Sequence, residues 1–267
     1  MKKRLDVILY EKGLTESRER AKTTIMSGLV FVEGHLKDKP GEKVEENLEI
    51  KIKGNANEYV SRGGLKLKKA IEEFDFDVKD KTIMDIGAST GGFTDCLLQN
   101  GAKKVYSIDV GYGQLAWKLR QDPRVVSMER TNFRYLKYEE IGELVNGATI
   151  DVSFISLSII LKNLYNLLLE NGEVIALIKP QFEAGREKVG KKGVVSDPNV
   201  HIDVIKKVLG EVLKIGFFIK GLSYSPITGP AGNIEFLAYI SKNQVGELFN
   251  IEEKIHKIVK EAHIELR

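Results

Sequence analysis

The stretch Thr82–Asp95, TIMDIGASTGGFTD, decides the fold. Its apolar residues on either side of Asp85 predict a buried strand, and the glycines and small polar residues that follow predict a tight turn. Apolar residues then recur from Phe93 at helical spacing, which predicts a helix. A strand, a glycine-rich turn and a helix together open many nucleotide-binding folds. Glycine suits such a turn because a backbone without a Cβ bends sharply and lets a ligand approach.

The turn matches neither of the two common phosphate-binding patterns. It lacks the GxxxxGK[ST] sequence of a P-loop and the GxGxxG sequence of dinucleotide-binding enzymes. The next predicted strand, Lys104–Asp109, ends in an acid that is placed to accept hydrogen bonds from ribose hydroxyls. A ribose-binding acid without a phosphate site favours an adenosine ligand that carries no phosphates. We therefore predict S-adenosylmethionine as the cofactor.

The chain from residue 59 onward alternates strands with helices. Further strands are predicted at 125–128, 148–152, 174–178, 217–224 and 234–240. Helices are predicted at 156–169 and 200–215, and a last helix is predicted to pack Leu248, Ile251, Ile255 and Ile258 inward. This alternation predicts an α/β fold with a doubly wound, mostly parallel seven-stranded sheet. Ligands bind such sheets beyond the carboxyl ends of the strands, where the sequence places Gly87, Asp109, Asn132, Asp151 and Lys179.

The first sixty residues follow a different pattern, which predicts a small α+β domain. Leu5, Ile8 and Leu9 are helically spaced before Gly13, and a second helix is predicted from a Thr15 cap to Gly28. Strands are predicted at 29–32 and, as one strand, across 44–52. A polar linker at 55–58 then separates two domains, which we place at 1–58 and 59–267.

Composition limits the classes of protein that need to be considered. Of the 267 residues, 42% are hydrophobic and 30% are charged, as in ordinary soluble proteins. The net charge of +3 does not decide whether nucleic acid is a partner. The single Cys96 excludes an internal disulfide, and the four scattered histidines give no metal-ligand spacing, so we predict no metal. No signal peptide or membrane-length apolar run is visible, so we expect a cytoplasmic protein without membrane contact.

The segment from Arg4 to Val44, RLDVILYEKGLTESRERAKTTIMSGLVFVEGHLKDKPGEKV, resembles the S4-type RNA-binding domain. The resemblance rests on RLD, on SRxxA and on GxVxVxG, with Glu33 where asparagine is usual. It implies that this domain binds RNA. The candidate phosphate contacts are basic side chains of this region and of the entry to the second domain: Lys2, Lys3, Arg4, Arg18, Lys22 and Arg62.

Five segments behind that domain resemble the TlyA (haemolysin A) family of FtsJ/RrmJ-like ribose 2′-O-methyltransferases. These segments are SRGGLKL, DIGASTGGFTD, IDVSFISL, LIKPQFEAGR and GPAGNIEF, and the resemblance covers essentially the whole chain. It implies methyl transfer from S-adenosylmethionine to a ribose 2′-hydroxyl of ribosomal RNA, on cytidine. It implies a catalytic tetrad of Lys66, Asp151, Lys179 and Glu235. It also implies cofactor contacts from Asp85, Gly87, Ser89, Gly91, Gly92, Phe93, Asp109 and Asn132.

The tetrad also makes chemical sense by itself. A ribose hydroxyl is a poor nucleophile at neutral pH, and neighbouring buried lysines depress each other's pKa. We therefore predict that Lys179 accepts the hydroxyl proton, that Asp151 and Glu235 orient the lysines, and that Lys66 stabilises the developing oxyanion. The stretch 185–193 is basic, and we predict that it holds RNA beside the active site and is mobile without RNA. Its basic residues are Arg186, Lys188, Lys191 and Lys192.

Other functions stay open at this point. A non-catalytic RNA-binding or ribosome-assembly factor with a degenerate cofactor domain is the main alternative. A base methyltransferase is disfavoured because Asp151-Val152-Ser153-Phe154 stands where an Asn-Pro-Pro-Tyr-like segment is expected. The missing GxGxxG disfavours a nicotinamide dehydrogenase, and no membrane-active segment supports a lytic protein. The sequence leaves the methylated nucleotide, the choice between ribosomal RNA and ribosomal subunits, and the oligomeric state open.

Overall fold

The computed structural model describes residues 2–26, 28–52, 58–243 and 250–266. The chain forms two compact units, Met1–Gly64 and Leu65–Arg267. Most of the predicted linker lies outside the described residues, and so does Leu248 of the last helix. Within the described ranges, no helix is both long enough and apolar enough to cross a membrane.

The first unit contains two helices and five short strands. These are β1 Lys2–Arg4, α1 Leu5–Glu11, α2 Arg18–Met26, β2 Val30–Val32, β3 His35–Lys37, β4 Lys43–Glu45 and β5 Ile50–Ile52. Strand β1 pairs with β4, and β2 lies between β3 and β5, all antiparallel. Apolar side chains from both helices and from β2 and β4 form a separate small core. This unit therefore buries its own apolar residues.

Two predictions for this unit were wrong in detail. The second helix is capped by Ser17 rather than Thr15, because the Ser17 Oγ accepts the N–H of Arg20 at 3.0 Å and the helix begins at Arg18. The strand predicted across 44–52 is two strands, β4 and β5, since the chain turns where the Leu48 N–H donates to the Glu45 carbonyl. The alternation of apolar residues continues through that turn, so the sequence pattern does not show that the strand is interrupted.

The second unit contains the predicted seven-stranded sheet. Its strands are β6 Thr82–Ile86, β7 Lys104–Ile108, β8 Val125–Met128, β9 Val145–Ile150, β10 Leu168–Ile178, β11 Phe218–Tyr224 and β12 Phe236–Ser241. Their order is β11-β12-β10-β9-β6-β7-β8, and β12 runs antiparallel to both of its neighbours while the other pairs are parallel. Every residue of β6 is buried, as a central strand covered on both faces requires. The predicted fold class is confirmed.

Helices connect and cover these strands. They are α3 Gly63–Phe74, α4 Gly92–Gln99, α5 Trp117–Arg120, α6 Tyr138–Ile141, α7 Leu157–Tyr165, α8 Pro180–Glu183, α9 Pro198–Ile215 and α10 Ile251–Glu265. Buried residues of α7, α9 and α10 join the sheet in one core. In α10, Ile255 and Ile258 are buried as predicted.

Several boundaries in the second unit differ from the prediction. The helix predicted to reach residue 169 ends at Tyr165, and β10 begins at Leu168 rather than at 174. The strand predicted at 148–152 is β9, Val145–Ile150. Glu235 was predicted inside the last strand but precedes β12, which begins at Phe236. These errors arise because a short run of buried apolar residues does not show where the hydrogen-bond ladder begins.

Candidate active site

The predicted site residues come together because parallel strands end at the same edge of the sheet. Ile86 of β6 is level with Ile108 of β7 and with Ile150 of β9. The residues that follow these three strand ends are Gly87, Asp109 and Asp151. Lys179 follows β10 in the same way. The site is thus assembled from four consecutive strand ends.

Gly87 allows the glycine-rich turn to lie close to the end of β9. Its φ is +87°, and a Cβ there would lie 2.6 Å from the carbonyl oxygen of Asp151. Its N–H donates to the carbonyl of Ile108 at 2.8 Å. Any side chain at this position would therefore push the turn away from the strand that carries Asp151.

Asp109 holds the glycine-rich turn from the side of β7. Its Oδ2 accepts the N–H of Ser89 at 2.8 Å, and its Oδ1 accepts the N–H of Gly111 at 2.7 Å. Each carboxylate oxygen has two lone-pair sites, so both oxygens keep acceptor capacity. This arrangement leaves an oriented carboxylate that can accept further hydrogen bonds.

A cavity of about 440 Å³ opens at this edge. Its described lining residues are Ile86, Gly87, Ser89, Ile108, Asp109, Val110, Gln114, Thr131, Asn132, Phe133, Asp151, Val152, Ser153, Phe154, Ile155 and Ile160. Among them there is no lysine or arginine, whereas Asp109 and Asp151 contribute two carboxylates. Apolar walls with negative charge fit an uncharged nucleoside joined to a cationic group, and they disfavour a polyphosphate. These residues fit S-adenosylmethionine.

Four of the eight predicted cofactor residues line this cavity, namely Gly87, Ser89, Asp109 and Asn132. The other four lie in the strand and helix around the turn. Gly91, with φ +94°, is the N-cap of α4 and is packed against Leu119, while Gly92 and Phe93 are buried in the first turn of α4. Their contacts hold the shape of the turn.

Asp85 is fully buried one residue before the end of β6. Its Oδ2 accepts the N–H of Thr94 at 2.8 Å and the Thr94 hydroxyl at 2.6 Å. Burial raises the pKa of Asp85 to about 7, and the nearby charge of Asp151 acts in the same direction. In this position Asp85 joins β6 to the start of α4.

The predicted tetrad forms a continuous chain of ion pairs. The Nζ of Lys179 lies 2.5 Å from Asp151 Oδ1, and the Nζ of Lys66 lies 3.7 Å from Asp151 Oδ2. Lys66 in turn lies 2.6 Å from Glu235 Oε2. Lys66 and Glu235 are buried, so these charges interact at low effective dielectric. Burial acts to raise the pKa of Asp151, but the charges of Lys66 and Lys179 outweigh it and hold that pKa below its ordinary value.

Three further side chains, to which the sequence analysis gave no role, make contacts at this edge of the sheet. Glu183 is buried and accepts the Leu157 N–H at 2.8 Å and the Ser156 hydroxyl at 3.0 Å. Asn233, also buried, accepts the Val195 N–H and donates to the Gly193 carbonyl, both at 2.9 Å. Phe154 is 90% exposed at the cavity, has φ +64° and lies with its ring centre 4.8 Å from that of Phe182. The quoted motifs contain all three residues, but their spacing shows neither a buried partner nor a positive φ.

In the first unit, two of the predicted RNA contacts meet at one buried carboxylate. Arg4 donates to both oxygens of Asp6 at 3.0 Å, and Arg18 donates to Asp6 Oδ2 at 3.2 Å. Hydrogen bonds from Arg4 above all hold the pKa of Asp6 below its ordinary value, against the effect of burial. Both arginine side chains remain about half exposed, so each is partly accessible to solvent. Asp6 is the residue of the RLD motif that organises this pair.

The other predicted RNA contacts are more dispersed. Lys3 is paired with Glu11 at 3.0 Å and with Glu46 at 3.2 Å. Lys2 is exposed in β1, Lys22 is half-buried in α2, and Arg62 packs against Gly28. In the second unit the basic stretch is exposed, and its Lys188 pairs with Asp203 at 3.3 Å. Arg186, Lys191 and Lys192 are exposed around a turn in which the Gly193 N–H donates to the Gly190 carbonyl.

The chain is similar to known proteins over both units. The FtsJ-like methyltransferase family model matches residues 59–242, and the S4 domain model matches residues 3–50. A Bacillus subtilis protein named as a proposed rRNA methyltransferase, YqxC, is 56% identical, and the match covers 100% of this chain and 96% of that protein. The Mycobacterium tuberculosis 16S/23S rRNA (cytidine-2′-O)-methyltransferase TlyA is 38% identical, with 97% and 98% covered. A solved structure of a proposed hemolysin from Streptococcus thermophilus is 50% identical, with a TM-score of 0.78 and with 99% and 96% covered.

Proposed function

We infer that this chain, which belongs to the TlyA family of FtsJ-like methyltransferases, is an RNA methyltransferase that methylates a ribose 2′-hydroxyl of ribosomal RNA. The methyl donor is S-adenosylmethionine, and the substrate nucleotide is cytidine, as the name of the Mycobacterium tuberculosis relative states for that protein. The observation that carries this proposal is the Lys-Asp-Lys-Glu chain of ion pairs next to a cavity that suits a cationic nucleoside.

The two carboxylates of the cavity, Asp109 and Asp151, would bind different parts of the cofactor. Asp109 would accept hydrogen bonds from the cofactor ribose, beside Gly87 and Ser89 of the glycine-rich turn. Asp151 lines the same cavity from the end of β9, and its negative charge would favour the cationic sulfonium of the cofactor. When bound, S-adenosylmethionine supplies an electrophilic methyl group.

Lys179 acts as the general base for the substrate hydroxyl. The step requires Lys179 in its uncharged form: its Nζ then accepts the 2′-hydroxyl proton, and Asp151, 2.5 Å away, stabilises the ammonium that forms. Ser153 Oγ accepts a hydrogen bond from the same Nζ at 3.2 Å and restricts its orientation. A lysine that is held by two acceptors is positioned before the substrate arrives, which lowers the entropic cost of the reaction.

Lys66 supplies a fixed positive charge on the other side of Asp151. Glu235, at 2.6 Å, compensates its charge and holds it in place, because a buried lysine needs a partner. From there Lys66 stabilises the negative charge that develops on the ribose oxygen. This division of roles makes Lys179 and Lys66 non-equivalent although both contact Asp151.

The proposal is tested by transfer of labelled methyl groups to ribosomal RNA and to ribosomal subunits, followed by nucleoside analysis. We expect label in ribose-methylated cytidine. Lys179→Ala should lower the transfer rate by about 10²- to 10⁴-fold, since it removes the general base, and should leave S-adenosylmethionine affinity largely unchanged. Lys214→Ala, on the exposed surface of α9, is the matched control and should be fully active.

Two results would contradict the proposal. Full activity of Lys179→Ala would exclude that lysine as the base. Cofactor binding without transfer to either RNA or subunits would instead identify a non-catalytic RNA-binding factor.

A further inference from the structure

Exposed aromatic and basic side chains lie on the segments that follow β7 and β8, including Trp117 at the start of α5. We define this aromatic–basic surface by five exposed residues: Tyr112, Trp117, Arg130, Arg134 and Tyr135. The three rings are 67%, 71% and 65% exposed in chain order. Large aromatic side chains that are left this open contribute little to the core, and a cluster of them marks a binding surface.

Contacts between the segments that follow β7 and β8 bring Tyr112 and Arg130 together, and Arg134 lies beside its neighbour Tyr135. The Arg130 N–H donates to the carbonyl of Gly111 at 2.9 Å, which joins the loops directly. The Arg130 guanidinium lies 4.1 Å from the ring centre of Tyr112, and that of Arg134 lies 5.3 Å from the ring centre of Tyr135. Arg130 has φ +54°, which is uncommon for arginine, so the local backbone holds this arrangement at some cost. Two cation–ring pairs result.

Charge in this part of the chain is strongly one-sided. Residues 110–138 contain six lysines and arginines but two acids, a local surplus of four positive charges in a chain whose total is +3. The two acids are paired, Glu129 with Arg120 and Asp122 with Arg124. Of the other four cations, Lys118 pairs with Asp95 outside this stretch, so the surplus lies on Arg130, Arg134 and Lys137. A surface with this charge complements a polyanion.

The aromatic–basic surface begins at the rim of the active-site cavity. In the first loop, Val110 and Gln114 line the cavity. In the second loop, Asn132 and Phe133 line it, immediately before Arg134. The aromatic–basic surface therefore borders the same cavity as Asp151, the tetrad residue beside which the target ribose would lie.

We propose that the aromatic–basic surface binds unpaired nucleotides next to the methylated one. Their bases stack on Tyr112, Trp117 and Tyr135, and their phosphates contact the two arginines. Proteins that bind single-stranded RNA combine aromatic platforms with basic side chains in this way. The inference rests on the proposed function, because it takes the same RNA as the substrate, and it adds that the flanking nucleotides are single-stranded when bound.

Trp117 makes the proposal directly measurable because it is the single tryptophan of the chain. A base stacked on Trp117 will quench the intrinsic fluorescence of the full-length protein. We expect a mixed-sequence single-stranded oligoribonucleotide to quench it saturably, and a duplex of the same sequence to quench it much less. S-adenosylmethionine alone is the control for an effect of the cofactor. RNA binding that is established by another method but leaves the fluorescence unchanged would overturn the proposal.

Variants separate stacking from hydrogen bonding by the tyrosine hydroxyls and from misfolding. The double variant Tyr112→Ala, Tyr135→Ala should weaken binding of the single strand about tenfold, whereas Tyr112→Phe, Tyr135→Phe should retain it because the rings remain. Ile264→Ala, an equally exposed apolar residue on α10, is the matched control and should bind normally. Equal losses in the alanine and phenylalanine pairs, or no loss in either, would refute stacking.

The fluorescence result does not depend on methyl transfer. Quenching by RNA without any transfer would support the aromatic–basic surface while the proposed function fails. Transfer without quenching would support the function and overturn the inference. A Trp117 response to ribosomal proteins but not to RNA would assign the surface to a protein partner and would also overturn it.

Discussion

Asp85, which lies just before the glycine-rich turn, should make the stability of the protein depend on pH. Its pKa of about 7 in the folded protein lies above the ordinary value of 3.8, so the folded state binds more protons between these limits. The free energy of unfolding should therefore fall as pH rises through this window, by up to about 1.4 kcal/mol per pH unit from this group alone. Asp85→Asn cannot ionise and should remove that part of the slope.

Urea unfolding of both proteins at several pH values across the window measures the difference between the two slopes. Asp203→Asn, a substitution of an exposed acid on α9, serves as the control and should keep the slope of the parent protein. Identical slopes for the parent and Asp85→Asn would show that the carboxyl is ionised throughout the window.

Residues at strand ends were the part of the site that the sequence predicted best. Asp109 and Lys179 stand directly after buried apolar runs, so their position at the sheet edge followed from the pattern alone. The contact between Lys66 and Glu235 joins residues that are far apart in the chain, and it followed from the family resemblance rather than from spacing. Phe154 was not assigned a role, because its exposure depends on a positive φ that no sequence pattern records.

Helices α7 and α8 hold the two strand ends that carry the proposed base and its partner. Lys179 is the N-cap residue of α8, and Glu183 at the end of that helix accepts the first N–H of α7 at 2.8 Å. A carboxylate at a helix N-terminus satisfies an unpaired donor and interacts favourably with the helix dipole. Glu183 thus couples the element that follows β10 to the one that follows β9.

Glu183→Ala should lower the free energy of unfolding by about 1–3 kcal/mol, because buried donors lose their acceptor. Methyl transfer should also fall, since Asp151 and Lys179 are no longer held in register. Glu183→Gln keeps an acceptor oxygen and should lose less of both. Chemical unfolding and single-turnover kinetics measure the two effects, and Glu187→Ala in the adjacent exposed turn is the control. Equal stability of Glu183→Ala and Glu187→Ala would contradict this role.

The element boundaries that the sequence missed have a common physical cause. Leu164, Leu167 and Leu168 are all buried, and their spacing is compatible with a helix and with a strand. The chain leaves the helix between them, and β10 then changes register between Leu168 and Glu173 against β9. Tertiary packing decides such a run, so its sequence predicts burial but not the element.

At the scale of the whole molecule, the two units contain different candidate RNA-binding and catalytic residues. The first unit has its own core and presents Arg4 and Arg18 around the buried Asp6, whereas the second contains the cavity and the tetrad. We therefore propose that Arg4 and Arg18 contribute to affinity for the RNA backbone, beside the proposed RNA contacts of the second unit, whereas the tetrad performs methyl transfer. This separation predicts different kinetic effects for changes in the two units.

Replacement of both Arg18 and Lys22 by Ala should raise KM for RNA and leave kcat at saturating RNA and S-adenosylmethionine affinity unchanged. Each lost phosphate contact should also reduce the slope of log affinity against log salt by about 0.7–0.9. Thermal unfolding must accompany the kinetics, because Asp6 keeps Arg4 as a partner but loses Arg18. Lys51→Ala, an exposed lysine of β5 that pairs with Glu49 in the same unit, is the matched control. A fall in kcat with unchanged KM would instead place these side chains in the chemical step and would refute the separation of affinity from catalysis.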